Sequence, residues 1–261
     1  MAKLKMTASV VSQAQLAEGI YDLRLKAPEI ASQAAAGQFV SVYSKDGSRL
    51  LPRPISLCGI DKEAGQLRLV YRVAGAGTEE FSALKAGDTV DILGPLGNGF
   101  SLLEGKKAFL IGGGIGIPPM LQLAKELCAL NGSEMVQSVI GYRDSQLFLK
   151  DEFEAYGPVY TATEDGSRGT KGNVLDAIRE NGLTADVIYA CGPTPMLRAL
   201  KAYAAENNIQ CWISLEEKMA CGVGACLACV CQSKEVDGHS HVHNKRVCKD
   251  GPVFLSTEVE L

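Results

Sequence analysis

No apolar run in this 261-residue chain approaches the roughly 20 residues that cross a bilayer, so no membrane span is expected. The opening stretch MAKLKMTASVVSQAQ lacks the continuous apolar core of a signal peptide, which makes a cytoplasmic address the expectation. An excess of positive charge is missing as well. The 26 Lys and Arg stand against 30 Asp and Glu, a formal charge of −4, and nothing is left over to hold a phosphate backbone. Nucleic acid is therefore not an expected partner. Internal repeats and low-complexity tracts are absent, and 46% apolar with 21% charged residues excludes a disordered or collagen-like chain. Histidine is scarce, at three residues, and the nine cysteines cannot all pair. An odd count without an export signal argues against a disulfide framework and for thiols that bind metal or do redox work.

What is present points to more than one domain, since the length exceeds the usual single-domain size of roughly 100 to 150 residues. Residues 1–101 hold short β-branched and aromatic segments, MTASVV, IYDLRLKA, QFVSVYS, PISLCGI, QLRLVYRV and DTVDIL, separated by Gly, Pro, Asp and Ser. They predict an antiparallel barrel or sandwich of about six strands, and the barrel is the expected form. The stretch GTEEFSALKAGD is the one helical exception, with Thr78 as the expected N-cap and Gly87 as the stop. Residues 102–216 alternate apolar runs (KAFLIGG, MVQSVIGY, PVYTATED, DVIYACG, CWISLEE) with amphipathic stretches such as PPMLQLAKELCAL, LFLKDEFEAYG, NVLDAIREN and TPMLRALKAYAAEN. That pattern predicts a doubly wound parallel sheet with helices on both faces. Residues 217–261 are short and cysteine-rich, without a core of their own, and the segment LGPLGNGFSLLEGK is the expected boundary between the first two regions.

Cys221, Cys226 and Cys229 stand as C-x4-C-x2-C, and Cys248 follows eighteen intervening residues later. This is the spacing of a plant-type 2Fe-2S site, in which one tight loop supplies three of four thiolates. Gly222, Gly224, Ala220, Ala225 and Ala228 keep that loop small enough for backbone N–H groups to reach sulfur. Structural zinc is the competing reading, although zinc modules favour paired short knuckles. Cys231 is a spare thiol or a substitute ligand. His239, His241 and His243 would share one face of a strand, yet KEVDGHSHVHNKR is so polar that a solvated loop is the simpler expectation. Cys58, Cys128 and Cys211 read as small buried apolar residues.

Gly112, Gly113, Gly114 and Gly116, followed by Ile117, Pro118 and Pro119, lie between a strand and a helix, a context suited to a dinucleotide pyrophosphate. Ile117 occupies the place of the last fingerprint glycine, and a plain tight turn is the alternative. Asp144 after the second strand of this region can bind an adenosine ribose and favour NAD, whereas its neighbour Arg143 suits a 2′-phosphate. Cys191 and Gly192, before Pro193, close the strand where a nicotinamide ring could approach the backbone, or form only a turn.

Taken in order, Arg53-Pro54-Ile55-Ser56, Gly75-Ala76-Gly77-Thr78, Gly94-Pro95-Leu96-Gly97, the glycine loop and Cys191-Gly192-Pro193 resemble the ferredoxin-NADP reductase superfamily across nearly the whole chain. The resemblance implies FAD in the barrel. Arg53 would clamp the pyrophosphate, with Pro54 and Ile55 beside it, and Ser56 would act as the catalytic hydrogen-bond partner of the reactive flavin nitrogen. Val70, Tyr71 and Arg72 match the second flavin-facing strand, and Gly77 and Thr78 would offer backbone N–H groups to the FAD phosphates. The terminal MACGVGACLACVC and NKRVCKDGPVF are similar to the electron-transfer subunits of dihydroorotate dehydrogenase B complexes of pyrimidine synthesis. That similarity implies a partner subunit bearing FMN, a heterotetramer of two of each chain, and electrons passing from FMN through 2Fe-2S and FAD to NAD. Small subunits of NADH-dependent ferredoxin:NADP oxidoreductases and of sulfhydrogenases look similar at the motif level. A nucleotide-responsive binding protein with structural zinc is the alternative from a different class.

Overall fold

The computed structural model describes residues 3–238 and 241–261. Six strands close a barrel, β1 (Leu4–Ala17), β2 (Ile20–Lys26), β3 (Phe39–Val42), β4 (Arg53–Asp61), β5 (Gln66–Arg72) and β6 (Thr89–Leu96). Their order around the barrel is β1-β2-β5-β4-β3-β6, and every pairing is antiparallel. Alternation explains the interior: Leu23 faces Leu69 and Leu25 faces Leu67 across the β2 and β5 register, and all four are buried. Ile30, Val40, Leu57, Phe81, Val90 and Ile92 complete that core.

Two short helices interrupt the barrel, α1 (Pro28–Ala31) and α2 (Ala76–Ser82). The first is a single turn, too short to show helical periodicity in the sequence. The second begins three residues before the expected position. Gly75 occupies the N-cap and Thr78 stands at N3, where its Oγ1 accepts from Ala74 N at 2.8 Å and Gly75 N at 3.2 Å. Its hydroxyl thus ties the entry turn from inside the helix rather than from the cap position. The helix ends at Ala83, and Gly87 belongs to the following turn with φ +91.

The second layer starts with β7 (Ala108–Gly113), α3 (Ile117–Asn131), β8 (Val136–Tyr142), α4 (Lys150–Phe153), β9 (Val159–Thr163), β10 (Thr170–Lys171) and α5 (Val174–Glu180). It continues through β11 (Val187–Cys191), α6 (Thr194–Glu206) and β12 (Gln210–Ser214). The sheet order is β10-β9-β8-β7-β11-β12-β15, where β15 (Val253–Leu255) comes from the terminal segment together with β13 (Val230–Gln232) and β14 (Asn244–Arg246). All neighbours from β10 to β12 are parallel, so the order reverses between β7 and β11, where open sheets place ligands. The stretch 147–157 forms only one helical turn. The short β10, not foreseen, makes β11 the fifth strand of this region.

The terminal segment departs most from expectation. β15 pairs antiparallel with β12, so the sheet is mixed. Cys229, Val247, Cys248, Phe254 and Val259 join the apolar cluster that contains Ile188, Ile213 and Leu197. A segment without its own core is thus held partly by burial against its neighbour. The expected boundary stretch is equally engaged: β6 runs through Leu96, and Asn98 N donates to Gly251 O at 2.7 Å. Arg68 on β5 joins barrel to sheet, pairing with Asp22 at 2.9 Å and with Glu152 of α4.

Candidate functional site

A cleft of about 530 Å³ opens where barrel, sheet and terminal segment meet. Arg53, Pro54, Ile55, Ser56, Val70, Tyr71, Arg72 and Thr78 all border it, so the expected barrel residues converge on one face. Facing them are Ile115 within the glycine loop, Ser214 and Leu215 at the end of β12, and Glu216 to Met219 leading into Cys221. The run 216–219 carries no site motif, and its place between the last parallel strand and Cys221 is the sequence signal that points to it.

Arg53 Nη1 donates to the Leu51 carbonyl, and its guanidinium covers the first turn of α2. An ideal Cβ on Gly77 would fall 2.7 Å from Arg53 Nε and 2.9 Å from Cζ, so glycine is what lets the cation lie there. The first N–H groups of a helix have no intrahelical acceptor, so cation and helix start present donors to the same volume. Ser56 sits opposite Phe39 in the β3 and β4 register. Tyr71 borders the cleft, yet its ring is 2% exposed, stacks on Tyr21 and donates its hydroxyl to Gln13 Oε1 at 3.1 Å. Val70 is as buried, at 3%, and Arg72 is the exposed residue of this stretch. Enclosure by the cleft walls raises the Glu216 carboxyl above its ordinary pKa, while Arg72 opposes the shift. Glu216 is nonetheless open to water, which limits the effect.

At the switch point the glycines do more packing than expected. A Cβ on Gly112 would meet Ile117 Cα at 2.9 Å, one on Gly113 would meet Met196 Sδ at 2.7 Å, and one on Gly116 would meet Cys191 O at 2.4 Å. A Cβ on Gly192 would likewise meet Met196 Cε at 2.6 Å and Gly113 N at 3.1 Å. The two loops after β7 and β11 are thus pressed backbone to backbone. Only Gly114, at φ +54, is open, with Arg72 Nη2 its nearest neighbour at 3.6 Å. Cys191 is buried, which pushes its thiol pKa up. Asp144 lies just beyond β8, its carboxylate accepting from Gln146 N at 2.9 Å, at the same end of the sheet as the glycine loop.

The cysteine loop has no regular secondary structure between Leu215 and Cys229. Gly222 and Gly224 adopt φ +68 and +83, and Val223 N and Ala225 N donate to Cys221 Sγ at 3.4 and 3.3 Å. Partial burial opposes ionisation of Cys221, but these backbone donors outweigh it and lower the thiol to about 6. Cys248 N donates to Cys229 Sγ at 3.4 Å, and both residues are buried. Cys226 is exposed. Arg246 brackets the fourth cysteine, paired with Asp250 at 3.0 Å. A loop that aims N–H groups at sulfur and closes through left-handed glycines fits an iron-sulfur cluster. Likewise, an apolar cleft with a cation and a helix start at one end fits a flavin dinucleotide.

Cys231 lies on β13 and packs on the shared core, and burial pushes its thiol up to about 11. Cys58 and Cys211 are buried, as expected, whereas Cys128 is only half-buried. His241 and His243 are exposed and lie outside any strand, while His239 lies outside the described residues.

Three family models match the chain: an oxidoreductase FAD-binding domain over residues 7–100, an oxidoreductase NAD-binding domain over 110–202, and the iron-sulfur cluster binding domain of dihydroorotate dehydrogenase B over 216–260. The electron transfer subunit of dihydroorotate dehydrogenase B (NAD(+)) from Bacillus caldolyticus is 48% identical over 97% of both chains. Its counterpart from Geobacillus sp. (strain WCH70) is 45% identical over 97% of both. Among solved structures, an NADH-dependent reduced ferredoxin-NADP oxidoreductase superposes with TM-score 0.85 at 32% identity, over 97% of this chain and 89% of that one.

Proposed function

The chain belongs to the family of dihydroorotate dehydrogenase B electron transfer subunits, and from that premise we propose that it delivers electrons taken from dihydroorotate in an FMN-bearing catalytic partner to NAD. The chain is an oxidoreductase subunit that binds FAD, NAD and an iron-sulfur cluster. The single observation that carries the finer reading is the cleft itself, walled by the flavin strands, the end of the nucleotide sheet and the approach to Cys221.

The bound groups supply the redox chemistry, since a 2Fe-2S cluster carries one electron at a time and a flavin converts between single electrons and the pair that NAD accepts as hydride. The protein supplies binding and orientation. Arg53 and the start of α2 hold the FAD pyrophosphate, with Gly77 keeping the guanidinium in reach and Thr78 fixing the entry turn. Pro54, Ile55, Val70 and Arg72 flank the isoalloxazine, and Ser56 hydrogen-bonds its reactive edge. Gly114 with Gly112, Gly113 and Gly116 shapes the NAD pyrophosphate turn, Gly192 beside Cys191 presents its backbone to the nicotinamide, and Asp144 meets the adenosine ribose. Cys221, Cys226, Cys229 and Cys248 ligate the cluster. On this reading residues 1–101, 102–216 and 217–261 are the FAD, NAD and cluster units of a cytoplasmic heterotetramer, two of each subunit.

Mixing the purified chain with the FMN subunit tests the proposal. Dihydroorotate-dependent NAD reduction in a complex whose sedimentation mass equals two of each chain is expected. Exclusive co-purification with a large iron-sulfur or hydrogenase chain would contradict it and favour the ferredoxin:NADP oxidoreductase type of small subunit.

A further inference from the structure

Three buried side-chain polar atoms among the described residues lack a hydrogen-bond partner: Ser41 Oγ, Ser138 Oγ and Trp212 Nε1. Ser138 and Trp212 belong to β8 and β12 of the nucleotide sheet. Ser41 has different surroundings. It lies on β3, where Phe39 pairs with Ser56 and Ser41 with Pro54. Alternation therefore puts Ser41 on the sheet face of Phe39, Pro54 and Ser56, three walls of the cleft. From the other side comes the cysteine loop. A Cβ built on Gly222, the residue after Cys221, would fall 2.9 Å from Ser41 Oγ and 3.2 Å from Leu96 Cδ1. Gly222 thus passes the hydroxyl with no side chain between them. Ser41 is 1% exposed, and a buried hydroxyl without an acceptor is unfavourable on a strand where it stands between Val40 and Val42.

We propose that the Ser41 hydroxyl donates a hydrogen bond to the sulfur shell of the iron-sulfur cluster at its Cys221 corner, so that the flavin barrel tunes the cluster's potential. This rests on the reading that Cys221, Cys226, Cys229 and Cys248 hold the cluster. A donor to sulfur favours the reduced, more negative state and raises the potential. Val223 N and Ala225 N already act this way on Cys221 Sγ from within the loop. Ser41 adds a donor from the strand paired to Pro54, on the side from which the flavin is approached. It is a positioning residue that touches no substrate.

The test is an anaerobic redox titration of the intact chain, followed by the cluster's electron paramagnetic resonance signal, with iron and FAD contents measured alongside. Ser41→Ala is expected to lower the potential, changing the oxidised-to-reduced ratio about threefold to tenfold at a fixed applied potential; for one electron tenfold is about 59 mV. Ser41→Thr keeps the hydroxyl and should stay near the wild type, and Ser138→Ala, which removes an equally buried hydroxyl elsewhere, should leave the potential alone. An unchanged potential in Ser41→Ala with full iron content overturns the inference alone, as does an equal shift in Ser138→Ala. A wild-type chain, supplied with iron and sulfide, that shows no cluster signal overturns the underlying assignment, and this inference with it.

Discussion

The barrel and the cysteine module solve the same folding problem by different means. The barrel closes six strands on themselves and fills the interior with Leu23, Leu25, Leu57, Leu67, Leu69 and Ile92, so that no strand edge is left open. The module has a two-stranded ribbon, one strand lent to a neighbour's sheet, and a long loop in which backbone N–H groups donate to sulfur. The difference assigns roles. A self-sufficient barrel can hold a flavin in fixed geometry, whereas the module depends on its docking and on the metal that its thiolates bind.

The largest expected effect separates the two regions outright. Cys229→Ser or Cys248→Ser should abolish bound iron and expose residues 217–261 to limited proteolysis, while FAD stays bound to the barrel. Loss of FAD together with the iron would break the comparison. Next in size, Leu69→Ala removes a fully buried barrel side chain and should cost about 2–5 kcal/mol in denaturant unfolding followed by flavin fluorescence. Its cluster signal should persist until the barrel melts.

Arg53→Ala sharpens the comparison within the barrel, because it removes binding without removing core. Loss of a charge-assisted phosphate contact is expected to weaken FAD affinity about tenfold to a hundredfold, read by flavin titration of the apoprotein, with thermal stability of the apo form nearly unchanged. The smallest effect concerns the tie between barrel and sheet. The Arg68 guanidinium holds the Glu152 carboxyl below its usual 4.5, against partial burial. A lowered folded-state pKa gives stability that is complete above the usual value and fades as pH falls through the lowered one. Glu152 is 47% exposed, so the term is at most about 1 kcal/mol. Glu152→Gln should flatten the acid limb of the unfolding midpoint by that amount and leave neutral pH activity in place.

Much of this was legible in local pattern. The six barrel strands and the strand and helix alternation up to β12 followed from alternation and periodicity, and the convergence of Arg53 through Ser56 with Val70 and Thr78 was implied by the resemblance to the reductase superfamily. Features that depend on tertiary contact were not legible. β15 carries three residues, and nothing in Val253–Leu255 announces that its partner is β12. Thr78 looked like an N-cap because its type suits one, but Gly75 and the following turn moved the helix start. At Gly112, Gly113 and Gly116 a Cβ would also meet Ile117, Met196 and Cys191, a packing demand that the loop motif does not announce. Tyr71 borders the cleft, and the packing of its ring on Tyr21 and Phe81, with its hydroxyl on Gln13, is tertiary contact of the same kind. Ser41 and the Arg68 pairing with Asp22 and Glu152 join residues far apart in sequence, which no local rule connects.

The central claim is that one chain links a flavin site in the barrel to an iron-sulfur site in the terminal module, with NAD as the outer redox partner. An anaerobic absorbance titration of the isolated chain with NADH, recording flavin and cluster bands together, tests it most directly. The account predicts that both bands bleach. A flavin band that bleaches while a fully loaded cluster stays oxidised, or a cofactor-supplemented chain with neither band, would contradict it.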